Sequence, residues 1–216
     1  PRASYPATRR WERNFKYFGY PPAPDTAQVE RFLWTNFAAY YTRPDSFRFE
    51  TNDLDTTRNV VFRVLLQGTN SNTHNMFVQV RNGAGRVSWV VDSLVWYDRS
   101  LRTGAVTLPG GAFSEGLTNR MILWGKGSTG PPDPATITIT NSGLNWYEAT
   151  YWRAFRALDG YLDATSGDAA GAFQVRAGGF ASSAVRVYDV TDVVNPARLT
   201  DVRVVADGGG YAVELQ

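Results

Sequence analysis

The chain has 216 residues, 43% hydrophobic and 19% charged, with a formal net charge of +2, no cysteine and one histidine. That composition excludes a disordered chain, and no apolar run approaches the ~18 residues a bilayer-spanning helix needs. The missing cysteines exclude disulfides, thiolate metal sites and a cysteine nucleophile, and a domain of this size buries a core without such staples.

Residues 1–40 read as an irregular N-terminal arm, rich in arginine and aromatic residues. No signal peptide is visible around Arg2, Arg9 and Arg10; a chain that opens on Pro1 reads as mature or excised, which leaves secretion open. Gly19 to Pro24 is a loop or polyproline stretch that cannot join a central strand. Asp25 followed by Gln28 resembles a capping box and predicts a short helix over 26–33.

From residue 45 onward the hydrophobic period is two. Strands are predicted over 46–50, 60–67, 75–81, 85–89 and 90–97. In the second of these Val60, Phe62, Val64 and Leu66 share one face and Arg63 takes the other. Asn52 to Asp55 and Asn70 to Thr73 read as turns, and Asn82-Gly83 as a hairpin. Further strands are predicted over 103–108, 119–125, 135–140 and 145–152, with a Gly/Pro loop over 127–134. The last third adds 161–164, 171–175, 185–190, 199–205 and 210–215, the final two joined by a tight turn at Gly208-Gly209-Gly210. Many short strands with turn residues between them predict an all-β fold, an antiparallel jelly-roll β-sandwich over 41–157. Residues 158–216 are either a small C-terminal β sub-domain or a continuation of the sandwich. Charge favours the former: residues 1–158 hold 18 of 22 Lys/Arg and 12 of 20 Asp/Glu (+6), and 159–216 hold 4 and 8 (−4).

Chemistry-bearing residues are sparse. His74 stands alone at a strand start, without the partners of a Ser-His-Asp triad or a histidine zinc site, and reads as a hydrogen-bonded turn residue. The pairs Asp53/Asp55 and Asp189/Asp192 sit too close in sequence to face each other across a glycosidase cleft. They suit Asx turns; no metal or other cofactor is expected, and calcium is the alternative such oxygen clusters would admit. The arginines alternate with apolar residues rather than forming a basic stripe, so no nucleic-acid partner is expected. Trp146, Tyr147, Tyr151 and Trp152 are the ligand- or partner-surface candidates. Alternation puts Trp146 and Trp152 on one face of a strand and Tyr147 and Tyr151 on the other, with one pair expected in the core.

Two stretches carry a family resemblance. Gly143 to Arg153 (GLNWYEATYWR) is similar to the LDWFEVTYPR-like strand, and Ser182 to Leu199 (SSAVRVYDVTDVVNPARL) to the VRVYDVTDPxNPVRL segment, of the β-sandwich region that precedes the catalytic domain in gingipain-like secreted cysteine peptidases. Asn145 stands where that family has Asp, and Trp152 where it often has Pro. The resemblance covers roughly residues 45–215 and implies a secreted or cell-surface bacterial setting, with a peptidase domain downstream. The expected function is a non-catalytic structural or interaction module, whose partner is another protein or its own neighbouring domains or subunits. A carbohydrate-binding module is the first alternative. A self-assembling subunit of a surface structure is the second, with the N-terminal arm added to a neighbour's sheet or groove.

Overall fold

A computed structural model describes residues 3–17, 32–38, 44–125, 141–165 and 174–215. The helix expected over 26–33 lies outside them except for Phe32 and Leu33, which are extended, and so do the expected polyproline stretch, the 127–134 loop and the 135–140 strand. The first strands are β1 (Ser4–Glu12), β2 (Lys16–Tyr17), β3 (Phe32–Leu33), β4 (Thr35–Ala38) and β5 (Asp45–Thr51). The central ones are β6 (Asn59–Gly68), β7 (Thr73–Arg81), β8 (Val87–Tyr97), β9 (Leu101–Pro109), β10 (Gly116–Gly125) and β11 (Asn141–Ala154). The last are β12 (Val175–Phe180), β13 (Val187–Asp189), β14 (Ala197–Leu199), β15 (Arg203–Asp207) and β16 (Gly210–Leu215).

The chain divides into two compact units: Thr8–Asn52 with Thr56–Tyr151, and Pro1–Ala7 with Asp53–Asp55 and Trp152–Gln216. The larger unit carries two sheets, ordered β1-β11-β6-β9, with β4 also on β11, and β5-β10-β7-β8. Numbering the eight longest strands along the chain turns these orders into 1-8-3-6 and 2-7-4-5, the pairing of a jelly roll. The sandwich predicted from the period of two is therefore present.

The period also selects the core. Val60, Phe62, Val64 and Leu66 of β6 are wholly buried, and Arg63 between them is exposed. Phe47 and Phe49 of β5, Met76, Val78 and Val80 of β7, and Met121 and Leu123 of β10 complete the filling. Each such side chain contributes about 1.5–3 kcal/mol by leaving water. Trp89 and the segment after it, read as two strands, form the single strand β8, and its pairing with β7 absorbs the irregularity in two register shifts.

The Asn82-Gly83 hairpin is a longer loop than the two-residue turn that dipeptide signals. Gly85 N–H bonds Asn82 O at 2.9 Å, Asn82 N–H bonds Arg86 O at 3.0 Å, and Gly85, not Gly83, takes the left-handed conformation at φ 78. This is a turn followed by a left-handed residue, the usual three-residue hairpin.

The N-terminal arm is not irregular over Ser4–Glu12, which form β1 beside β11. Thr8 Oγ1 meets Thr150 Oγ1 at 2.8 Å and Arg10 reaches Glu148 at 2.8 Å, so residue numbers run in opposite senses along the pair. Ser4–Glu12 of the arm are thus a strand of their own chain's sheet.

The smaller unit has a three-stranded sheet, β12-β16-β15, and the hairpin β13–β14. Tyr5, Phe155, Ala177, Phe180 and Val213 form its core. Gly208 and Gly209, at φ 54 and 93, make the expected tight turn between β15 and β16. The strand predicted over 161–164 is absent. Asp159 and Gly160, at φ 53 and 79, turn the chain so that Leu158 and Tyr161 bond each other, and no strand continues from there.

Candidate binding surfaces

Strand β11 displays the four aromatic candidates on two faces. Tyr147 and Tyr151 point into the sandwich and are 0% and 3% exposed, so both leave the list of surface candidates. Tyr147 lies within 5.3–6.3 Å, ring centre to ring centre, of Trp11, Trp34, Phe47, Phe49 and Phe62. Its hydroxyl donates to Arg48 O at 2.9 Å, and burial pushes its pKa far above the usual phenol value. The Tyr151 hydroxyl accepts the Asn52 N–H at 3.3 Å.

Trp146 and Trp152 are half-buried on the opposite face. The Arg10 guanidinium covers the Trp146 ring at 4.1 Å. It also pairs with the buried Glu148, as does Arg63 at 3.1 Å, so this patch is an interlocked ion cluster rather than a bare aromatic platform. Trp146 belongs to the larger unit and Trp152 to the smaller.

The carboxylate turns are engaged by protein donors. Asp53 holds Arg153 at 3.0 Å and Arg156 at 4.0 Å, and Asp55 accepts the Ser4 hydroxyl at 2.6 Å. Asp189 accepts the Thr191 N–H at 2.9 Å. Asp192 accepts the Val194 N–H at 3.0 Å and the Asn195 side-chain amide at 3.0 Å. Hydrogen bonds to the ionised form, led by those from the Thr191 side chain to Asp189 and the Asn195 side chain to Asp192, hold both carboxyls below the usual range. A cation at either turn would have to compete with those donors. Among the described residues no three acidic, histidine or cysteine side chains gather in a metal-ligand cluster.

His74 lies at the start of β7 and is hydrogen-bonded, as expected, but it is wholly buried in the strand rather than part of the turn. Its ring stacks on Trp96 at 5.0 Å, Nδ1 lies 3.1 Å from Ser142 Oγ, and Nε2 lies 3.1 Å from Asn70 O. With Nε2–H donating to the carbonyl, Nδ1 is left to accept from the serine. Burial lowers its pKa below the ordinary 6.5. Gly68 makes room for this ring, since a Cβ there would overlap His74 Nε2 and the Asp98 carbonyl.

Two concave sites were not legible as residue motifs. The first, in the larger unit, is a cleft of about 760 Å³ between β1 and β5, with Trp11, Arg13, Phe15, Trp34, Asp45 and Arg48 among its lining. The only sequence signal for it was the density of arginine and aromatic residues before Tyr17. The second, in the smaller unit, is a cavity of about 610 Å³ walled by Phe155, Phe180, Val185, Val187 and Leu215. Beside it the β13–β14 hairpin leaves Tyr188, Val190, Val193 and Val194 exposed, the last two by 82% and 80%.

The sequence matches no family model and no curated protein. Among solved structures it is similar to dimeric latent PorU from Porphyromonas gingivalis, at 14% identity and a TM-score of 0.57 over 98% of this chain. The chain spans 18% of the length of that protein, and the likeness is one of fold. Weaker likenesses run to the CBM36-1 domain of a multidomain xylanase from the hindgut metagenome of Trinervitermes trinervoides (TM-score 0.35, 9% identity, 67% of this chain and 95% of that one). Another is to infectious bursal disease virus Gx strain (TM-score 0.35, 9% identity, 68% of this chain and 32% of that one).

Proposed function

We propose that this β-sandwich chain is a non-catalytic structural and interaction module of a longer extracellular protein, and that its smaller unit docks a neighbouring domain. One observation carries the reading. The stretch Ser182 to Leu199, which resembles the gingipain-like segment, packs only Val185 and Val187 against the smaller unit's core. It leaves Val190, Val193 and Val194 exposed and lends Val185, Val187 and Leu199 to the wall of an open cavity. Asp192 fixes the hairpin tip through three hydrogen bonds, so the two adjacent valines are held in water rather than folded under. Exposed apolar surface around a pocket is what a docking face looks like before it is covered.

Two further points support it. The PorU likeness spans nearly this whole chain and a minor part of that protein, as a module of a larger product would. The one histidine is buried with both ring nitrogens engaged, and the buried carboxylate of Glu148 is held by two arginines, so neither is poised for acid–base work. Among the described residues no helix is long and apolar enough to cross a membrane.

Hydrogen exchange tests the docking. The 216-residue chain is compared with the full product of its reading frame. Backbone amides of 185–199 are expected to exchange fast in the former and to be protected in the latter, with dye binding to apolar surface falling in parallel. Equal exchange in both, or a reading frame that ends at Gln216, overturns the proposal. Casein and nitrophenyl glycosides are expected to remain intact with the isolated chain, and their turnover would overturn the non-catalytic part.

A further inference from the structure

The cleft between β1 and β5 has a chemistry of its own, separate from the docking hairpin. Its charged side chains fall into two groups. Arg9 pairs with Glu50 at 2.9 Å and Arg10 with Glu148 at 2.8 Å, so those guanidiniums are already committed. Glu12, Arg13, Asp45 and Arg48 form no ion pair among the described residues, and all four are exposed in the cleft. They leave two donor groups and two acceptor groups with no net charge between them.

The aromatic residues arrange these groups. Trp11 and Trp34 each stack on buried Tyr147 at 5.3 Å, which anchors the floor. The Arg13 guanidinium lies 5.5 Å from the Phe15 ring centre and 5.4 Å from that of Trp34. These cation–π contacts restrain the guanidinium without using up its N–H groups, so less side-chain entropy is lost on binding. Phe15 is 66% exposed and offers an apolar face at the mouth.

A ligand that suits this cleft must donate and accept at once, carry no net charge, and present an apolar face. An anion would meet Glu12 and Asp45, and a cation would meet Arg13 and Arg48. A hydroxyl is both donor and acceptor, so a vicinal diol can accept from a guanidinium while it donates to a carboxylate. The C–H face of a pyranose covers an aromatic ring. The volume of about 760 Å³ lies in the ~300–1,000 Å³ range of small-ligand sites. We propose that this cleft binds a neutral oligosaccharide, with Arg13 and Arg48 as donors, Glu12 and Asp45 as acceptors, and Phe15 as the stacking face.

Calorimetric titration tests this with xylo-, manno-, malto- and chito-hexasaccharides at up to about 5 mM, because a shallow site gives millimolar to micromolar affinity. Polygalacturonate and an acidic peptide complete the panel. Binding of at least one neutral hexasaccharide is expected. Phe15→Ala and Asp45→Asn should each weaken it by about tenfold, the loss of one good contact. Both residues are exposed, so the melting temperature should not move. Arg176→Gln, in the smaller unit, should bind as the parent does. Silence across the neutral sugars, binding of the acidic probes alone, or affinities untouched by both cleft variants each overturn the proposal. None of these outcomes bears on the exchange of residues 185–199, so the two proposals fail separately.

Discussion

Removing Tyr147 tests the assignment of β11's inner face to the core. In Tyr147→Ala the ring that five aromatic neighbours surround is deleted, and the rigid rings of Trp11, Phe49 and Phe62 cannot collapse fully into the space. Truncating a buried aromatic costs about 3–5 kcal/mol, and complete burial places this site toward the upper end. Tyr147→Phe keeps the ring and loses only the bond to Arg48 O, which costs about 1 kcal/mol. Urea denaturation followed by far-ultraviolet circular dichroism measures both. At about 2–3 kcal/mol per molar, the alanine variant should unfold roughly 1–2 M earlier and the phenylalanine variant about 0.5 M earlier. The slopes should match the parent's. A surface aromatic would give changes within about 0.5 kcal/mol for both variants. Near-equal small effects would refute the core assignment and return Tyr147 to the list of ligand-facing residues.

Three further outcomes follow from neighbouring features. Gly68→Ala places a methyl group against the Asp98 carbonyl and the His74 ring, and should cost about 2–4 kcal/mol in the same denaturation assay, from overpacking plus a strained histidine bond; a loss below about 1 kcal/mol would count against the close approach. The lone His74 gives one unambiguous imidazole proton signal in nuclear magnetic resonance. Its titration midpoint should fall below 6.5, so the unfolded chain takes up the proton first as pH drops. The stability is then intact above 6.5 and falls between that value and the lower folded one, by up to about 1.4 kcal/mol per pH unit; a midpoint at or above 6.5 contradicts the burial argument. Glu148→Ala strands the guanidiniums of Arg10 and Arg63, which are 49% and 45% exposed and can turn to water. The cost should therefore be about 1–2 kcal/mol rather than the ~3–5 of a fully buried pair, and a neutral substitution would mean the cluster is ornamental.

The parts of the fold that alternate were readable, because a sandwich core samples every second residue. Val60 to Leu66 show this most clearly, as does the separation of Tyr147 and Tyr151 from Trp146 and Trp152. β1 was not readable as a strand. It lies at an edge of its sheet and mixes Pro6, Arg9, Arg10 and Glu12 with its apolar residues, so its pattern resembles a loop. The stretch 161–164 looked like a strand on composition, but the left-handed pair Asp159-Gly160 had already turned the chain back on itself. His74 looked polar and turn-like, and its burial depended on the close approach of Gly68 and on Ser142, which lies 68 residues away in sequence. The cleft was the least legible. Arg13 and Phe15, Trp34, and Asp45 and Arg48 lie in three separate stretches that only the sheet order brings together.

The placement of β1 beside β11 has a consequence for how the protein is made. Of the described strands β1 is made before its partner at residues 141–154, and it must wait for nearly all of the sandwich to be synthesised. At about 5–20 residues per second that interval is roughly seven to thirty seconds, during which Tyr5 and Trp11 wait for the strand they pack beside. A nascent chain with Pro6 and adjacent Arg9 and Arg10 in that waiting strand is poorly suited to pairing with other nascent chains. The charges that hide β1 from a reader of the sequence also keep it soluble until its partner arrives.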